Sequence, residues 1–231
     1  MAHILRVHDG GVTELTIHPD LVVWSAEPAA RTGRPLVIVL HGRGSDERDL
    51  ASLFPLLPGG FVYASLRAPH AFGHGYAWFD DTVERPGDPQ ADSADSMADA
   101  VLAWLRHLPW HPTAVGALGF SQGGAMATHL LRHGQRIVSF AVNMSGFVVS
   151  GAHPSDAALS ITRPAAYWGR GSIDPLFTAD VVHRADAWLP FHTTLTSAIY
   201  PGLGHSVSDE MLRDVGAFLD ARLQRPAIPV S

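Results

Sequence analysis

The pentapeptide Gly119-Phe120-Ser121-Gln122-Gly123 constrains the fold more than any other stretch, because it separates a strand-like segment from a helix-like one. The largely apolar residues 113–118 precede it, and residues 124–132 follow with the length of a helix. A turn this tight strains the serine backbone, and glycine on either side lets strand and helix pass closely. We interpret the stretch as a candidate nucleophile elbow, in which the Ser121 hydroxyl stands clear of the sheet. The alternative is a turn whose serine only caps the helix.

The composition excludes several kinds of enzyme chemistry. All 16 basic residues are arginines, and the chain has no cysteine. Without lysine there is no Schiff-base or phosphate-loop lysine, and without cysteine there is no thiolate nucleophile, disulfide or cysteine-ligated metal. Serine is therefore the leading candidate for a nucleophile.

Length and charge limit the organisation of the chain and its partners. With 231 residues, 46% of them hydrophobic, we expect one domain over residues 1–231, with a core at about 35–223 and a tail at 224–231. The net charge of −6 and the lack of a basic stripe argue against nucleic acid as a partner. Residues 1–9 lack the apolar core of a signal peptide, so we expect a cytoplasmic protein without stable membrane insertion. The sequence specifies no oligomeric state.

Apolar patterning predicts an α/β fold. Short β-rich pieces near the N-terminus predict an antiparallel edge, and the continuous apolar run 36–40 predicts a strand buried on both faces. Beyond it, predicted strands (61–66, 113–118, 137–144, 165–169, 194–200) alternate with predicted helices (46–57, 97–108, 124–132, 179–189 and a last one through Met211 and Leu219). This alternation predicts a mostly parallel sheet with helices on both faces, no large lid domain, and ligand chemistry at the carboxyl ends of the strands.

Two glycine turns after later strands supply partners for the serine. Asp174 follows the predicted strand 165–169, and His205 follows the predicted strand 194–200. A serine needs a histidine to take its proton, and that histidine needs a carboxylate to orient it, so the chain order Ser, Asp, His predicts a catalytic triad. The alternatives are a helix N-cap for Asp174, which precedes Pro175, and a solvent-facing or hydrogen-bonded structural residue for His205.

The loop after residues 36–40 is a candidate oxyanion hole. It reads Gly42-Arg43-Gly44, and we expect the Arg43 N–H to face the site beside the Gln122 N–H at the start of the next helix. A phosphate cradle is the competing interpretation, but the third glycine and the lysine of such loops are missing. We expect the Arg43 guanidinium itself to face solvent or to bind Asp46 or Asp49.

Five stretches in the same order resemble the phospholipase/carboxylesterase family of α/β-hydrolases, which includes relatives of acyl-protein thioesterases. They are His41-Gly-Arg-Gly-Ser-Asp46, Ala77-Trp-Phe-Asp80, Gly119-Phe-Ser-Gln-Gly-Gly124, Gly171-Ser-Ile-Asp-Pro175 and Gly204-His-Ser206. The resemblance implies an α/β-hydrolase fold, the triad Ser121, Asp174 and His205, and oxyanion donors at Arg43 and Gln122. It carries no motif in the first 30 residues, in the loop 70–76 or in residues 147–153.

Aromatic and aliphatic residues near these stretches predict an apolar acyl pocket beside the serine. The candidates are Phe72, Tyr76, Trp78, Phe79, Phe147, Leu176 and Leu203. Ordinary core packing is the alternative, above all for Phe79. His70 and His74 have no third ligand at a suitable spacing, so we expect no metal and no cofactor.

These observations favour a serine carboxylesterase that hydrolyses small to medium acyl esters through an acyl-enzyme. The expected substrate is a small-molecule ester. A thioesterase acting on acyl-proteins or acyl-CoA, or a lysophospholipase, would use the same chemistry. A non-catalytic binding protein of the same fold is the alternative from a different class. A nucleotide-binding protein is the weakest alternative, because the sequence has no phosphate-binding loop.

Overall fold

A seven-stranded sheet forms the centre of the computed structural model, which describes residues 15–79, 91–134 and 137–224. The strands are β1 (Val23–Trp24), β2 (Leu36–Leu40), β3 (Val62–Leu66), β6 (Val115–Phe120), β7 (Phe140–Met144), β8 (Ala165–Gly171) and β9 (Thr194–Tyr200). Their order is β1-β3-β2-β6-β7-β8-β9, and all neighbours are parallel except β1 and β3. The predicted fold class is confirmed.

Strand β2 is buried throughout because every one of its five side chains is apolar and both faces of the sheet are covered. Leu36, Ile38 and Leu40 contribute to one core, and Val37 and Val39 to the other. The register with β6 pairs Leu40 with Gly119, so the loop after β2 emerges beside the turn at Ser121.

The helices are α1 (Ala91–Arg106), α2 (Gln122–His133), α3 (Asp156–Thr162), α4 (Ala179–His192) and α5 (Asp209–Leu223). Apolar residues of α1 and α2 share a core with Leu36, Ile38 and Leu40, whereas those of α5 pack with Val37 and Val39 on the opposite face. Helix α5 begins where the Ser208 hydroxyl accepts a hydrogen bond from the Met211 N–H at 3.1 Å. None of the described helices is both long and apolar enough to cross a bilayer.

The structure corrects several predicted elements. The helix expected over 46–57 is a 3-10 helix, Leu50–Leu56, in which Pro55 interrupts α-helical hydrogen bonding. The expected loop 70–76 is a hairpin of β4 (His70–Phe72) and β5 (Gly75–Ala77), which turns at Gly73 with φ of 59°. Helix α3 was not predicted.

The predicted N-terminal edge is described only in part. Strand β1 pairs antiparallel with β3, as expected. The predicted β-rich piece 4–7 and the first part of the piece 12–17 lie outside the described residues, as do Asp80 and the tail from 225 onward; residues 15–17 form no strand.

Candidate active site

Ser121 occupies the turn between β6 and α2 in strained backbone. Its φ is 55° and its ψ is −120°, a conformation that costs energy in a residue other than glycine. The Ser121 N–H donates to the Met144 carbonyl at 2.8 Å, and its carbonyl accepts from the Ala125 N–H at 3.0 Å. These two bonds hold the strained residue at the carboxyl end of the sheet.

The glycines of the turn have no room for a side chain. A Cβ built on Gly119 would lie 2.1 Å from the Gly123 carbonyl oxygen, and one on Gly123 would lie 2.0 Å from the Leu40 oxygen. Strand β2, strand β6 and helix α2 therefore approach with backbone against backbone, which explains the pattern of glycines in the sequence.

Gly123→Ala is expected to lower the free energy of unfolding by about 3 kcal/mol, because rigid backbone must move to accept the new methyl group. Gly216→Ala is the matched control, since a Cβ there meets nothing within 4 Å on α5. That control is expected to raise stability by up to about 1 kcal/mol through helix propensity. Urea unfolding of both variants measures the difference, and equal effects would contradict the close approach.

The structure brings Ser121, His205 and Asp174 together in one hydrogen-bonded chain. His205 Nε2 lies 2.8 Å from Ser121 Oγ, and His205 Nδ1 lies 2.7 Å from Asp174 Oδ2. The partners assign the tautomer, because a buried carboxylate accepts the Nδ1–H and leaves Nε2 to accept from the serine hydroxyl. This arrangement can pass a proton from the serine to the imidazole.

Asp174 is fixed by burial and by a backbone hydrogen bond. Its Oδ1 accepts from the Leu176 N–H at 3.0 Å, and its side chain is 1% exposed. It does not cap a helix, because α4 begins five residues later with Thr178 at its N-cap. The buried carboxylate therefore faces His205 with its remaining oxygen.

Two aromatic rings flank His205. The Phe120 ring centroid lies 4.9 Å from that of the imidazole, and the Phe177 centroid lies 6.5 Å away. These rings restrict the orientation of the imidazole.

A cavity of about 220 Å³ opens in front of Ser121. Its lining residues are Gly42, Arg43, Phe120, Ser121, Gln122, Ser145, Phe147, Leu176, Phe177, Val181 and His205. Both predicted oxyanion residues, Arg43 and Gln122, are among them. Gln122 is the first residue of α2, so its N–H has no intrahelical acceptor. The Arg43 guanidinium lies 5.0 Å from the centre of the Phe72 ring.

Of the seven predicted pocket residues, Phe147 and Leu176 line this cavity. Trp78 and Phe79, also predicted to line the acyl pocket, are fully buried and are not among its lining residues. The Gln122 side chain instead pairs with their backbone, since Oε1 accepts from the Trp78 N–H at 2.8 Å and Nε2 donates to the Phe79 carbonyl at 2.7 Å. The backbone of these two aromatic residues therefore holds the side chain of the first residue of α2.

The remaining three predicted pocket residues lie elsewhere. Phe72 is 42% exposed on the β4–β5 hairpin. The Tyr76 hydroxyl accepts a hydrogen bond from Arg67 at 3.1 Å. Leu203 packs with the core beneath α5, and its carbonyl accepts from the Ile173 N–H at 3.1 Å.

His41 supports the loop 42–44, a role that the sequence analysis missed. Burial lowers the pKa of its imidazole, so the ring is neutral near pH 7. Nδ1–H then donates to the Gly42 carbonyl at 2.7 Å, and Nε2 accepts from the Ala68 N–H at 3.2 Å. The His41 carbonyl accepts from the Trp78 indole at 2.8 Å, which ties the loop to the core.

Ser145 was also missed. It follows β7 with a φ of 49°, and its hydroxyl is buried without a hydrogen-bond partner among the described residues. Ser145 is also among the residues that line the cavity.

The model of the phospholipase/carboxylesterase family matches residues 22–223. The chain belongs to this family. Membership makes it a hydrolase of the phospholipase/carboxylesterase type, and the predicted family resemblance is confirmed.

Solved structures of similar fold include esterases and a thioesterase. Esterase PE8 is 24% identical, with a TM-score of 0.68 over 90% of this chain and 99% of that one. The Bacillus cereus carboxylesterase is 16% identical, with a TM-score of 0.70 over 87% and 93%. The Zea mays acyl-protein thioesterase 2 is 22% identical, with a TM-score of 0.67 over 87% and 98%. A search of curated proteins finds no match.

Proposed function

We propose that this family member is a serine carboxylesterase that hydrolyses small to medium acyl esters. The observation that carries the proposal is the hydrogen-bonded chain from Asp174 through His205 to Ser121 at a cavity of about 220 Å³. Ligand pockets for drug-sized molecules have volumes of about 300–1,000 Å³, so this cavity suits a smaller acyl group.

In the proposed acylation step, Ser121 Oγ attacks the ester carbonyl carbon while its proton moves to His205 Nε2. Asp174 accepts the Nδ1–H of the imidazolium and stabilises its charge. In this proposal, the backbone N–H groups of Arg43 and Gln122 donate hydrogen bonds to the oxyanion of the tetrahedral intermediate. When the C–O bond breaks, the alcohol leaves with the proton from Nε2, and the acyl group stays on Ser121.

Deacylation repeats these steps with water as the nucleophile. His205 Nε2 takes a proton from water, the hydroxide adds to the acyl carbon, and collapse returns the proton to Ser121 Oγ. The carboxylic acid then leaves.

Labelling with a fluorophosphonate probe tests the nucleophile directly. We expect one covalent adduct per chain, located at Ser121 by peptide mass spectrometry. Absence of an adduct in folded protein would favour the non-catalytic binding protein. A panel of p-nitrophenyl esters and matched thioesters then ranks acyl length and leaving group.

The proposed acyl contacts predict the effect of Leu176→Ala. Leu176 lines the cavity and is 46% exposed, so its truncation leaves the buried core intact. Removing about 1 kcal/mol of apolar contact should lower kcat/KM for p-nitrophenyl hexanoate about 5-fold. The acetate ester, which does not reach as far, should change less than about 2-fold.

Ile161→Ala is the control for this measurement, because Ile161 is 83% exposed on α3 and does not line the cavity. An equal loss for acetate and hexanoate in Leu176→Ala would contradict an acyl contact at this wall.

A further inference from the structure

A second cluster of titratable side chains lies where α1 and α2 meet the segment that joins β7 to α3. Helix α1 contributes Asp95 and Asp99, one turn apart, and α2 contributes His129 and His133 with the same spacing. His153 enters from the joining segment. None of these five residues lines the cavity at Ser121.

Three ligand-type atoms of this cluster face one another. His133 Nδ1 lies 3.2 Å from His153 Nε2, and Asp95 Oδ1 lies 3.5 Å from the former and 3.7 Å from the latter. Zinc binds nitrogen and oxygen ligands at about 2.0–2.1 Å, so neighbouring ligand atoms in a tetrahedral site lie about 3.3 Å apart. The three observed separations are close to that spacing.

We propose that Asp95, His133 and His153 bind a zinc ion, with water at the fourth position. Two imidazole nitrogens and one carboxylate oxygen are a ligand set that suits Zn²⁺ and related transition metals. Mg²⁺ and Ca²⁺ prefer sites made of oxygen atoms, so this cluster with two imidazole nitrogens suits them poorly.

Two further residues orient these ligands. His133 Nε2 lies 2.9 Å from Asp99 Oδ1, so the Nε2–H donates to the carboxylate and the Nδ1 lone pair faces the site. His129 Nε2 lies 2.8 Å from Asp95 Oδ1, so its N–H can donate to the carboxylate and hold it in place. Both contacts are of the kind that fix the ligands of protein metal sites.

Charge and access also favour a divalent ion. The carboxylates of Asp95 and Asp99 together balance its two positive charges, and the nearby Arg132 is paired with Asp156 at 2.6 Å. The side chains of Asp95, His133 and His153 are 35%, 21% and 11% exposed, so an ion can reach them from solvent.

One hydrogen bond competes with zinc. The Ser155 N–H donates to His153 Nδ1 at 3.2 Å, which places the ring proton on Nε2, where it can donate to His133 Nδ1. Zinc binding at His153 Nε2 moves this proton to Nδ1 and breaks the contact with Ser155. The loss is a single long hydrogen bond, whereas the gain is a metal bond to three segments of the chain.

Isothermal titration of untagged, chelator-treated full-length protein with ZnCl₂ tests the site. We expect one Zn²⁺ per chain, no comparable heat with MgCl₂, and a rise of the melting temperature by about 5 °C at a hundredfold excess over Kd. With Co²⁺ as the probe, we expect the intense visible absorption of a tetrahedral ion.

His133→Ala and His153→Ala should each weaken Zn²⁺ binding at least about tenfold, because each removes a ligand. Asp95→Asn keeps the shape of the side chain and should weaken binding similarly, which covers the case that a histidine variant does not fold. His107→Ala is the matched control, since this histidine just past α1 is exposed and its side chain bonds to the Ala103 carbonyl, away from the cluster.

Two results would overturn the proposal. One is the absence of stoichiometric Zn²⁺ binding by the folded wild-type chain. The other is binding that survives in all three ligand variants, or that His205→Ala abolishes, because the ion would then sit elsewhere or at the active site.

Discussion

Ser121→Ala is expected to lower kcat for p-nitrophenyl butyrate by roughly 10⁵- to 10⁶-fold, because the variant has no oxygen to form the acyl-enzyme. KM should change little, since the cavity walls stay in place. Steady-state kinetics at high enzyme concentration measure the residual rate, and labelling by the fluorophosphonate probe should vanish in parallel.

Ser160→Ala is the matched control for this variant. The Ser160 hydroxyl donates to the Ala157 carbonyl on α3, away from the cavity lining, so its loss should leave turnover and labelling unchanged. If Ser121→Ala kept more than a few per cent of wild-type turnover, the assignment of the nucleophile would be wrong.

The sequence of strands and helices, and the convergence of Ser121, Asp174 and His205, could be predicted because each of the three residues lies in the turn after a strand. Ser121 follows β6, and the turns that carry Asp174 and His205 follow β8 and β9. Parallel strands end at the same edge of a sheet, so residues far apart in the chain come together there. The patterns needed for this inference are local, and the sequence contains them.

The pocket could not be predicted equally well, because its walls depend on contacts between distant segments. Trp78 and Phe79 resemble pocket residues by type and position, yet the Gln122 side chain binds their backbone from 43 and 44 residues away. The sequence around Trp78 and Phe79 does not predict that pairing. Phe177 and Val181, which do line the cavity, follow the predicted acid closely and could have been proposed from that position alone.

The proposed zinc site departs from the expectation of no metal for a similar reason. The spacing of His129 and His133 is visible in the sequence and places both on one face of α2. Of these two, only His133 is a proposed ligand; the second ligand nitrogen, on His153, comes from a different segment, and only the packing of α1 against α2 adds Asp95. His70 and His74 have the same spacing in sequence, but the fold places them on the β4–β5 hairpin.

Asp174→Asn is expected to lower kcat by about 10⁴-fold, although it changes a group that does not touch the substrate. The two oxygens of Asp174 have different partners, the Leu176 N–H and the His205 Nδ1–H. An amide has one oxygen. If it stays with Leu176, the amide NH₂ faces Nδ1 and drives the ring proton to Nε2, which then cannot accept the proton of Ser121.

Steady-state kinetics and probe labelling of Asp174→Asn check this expectation, and both rates should fall together while the melting temperature stays close to that of the wild type. Asp186→Asn, an exposed position on α4, makes the same chemical change away from the site and should leave both rates unaltered. A loss of less than about tenfold in Asp174→Asn would mean that His205 is oriented without this carboxylate, and the flanking rings of Phe120 and Phe177 would then be the groups that hold it.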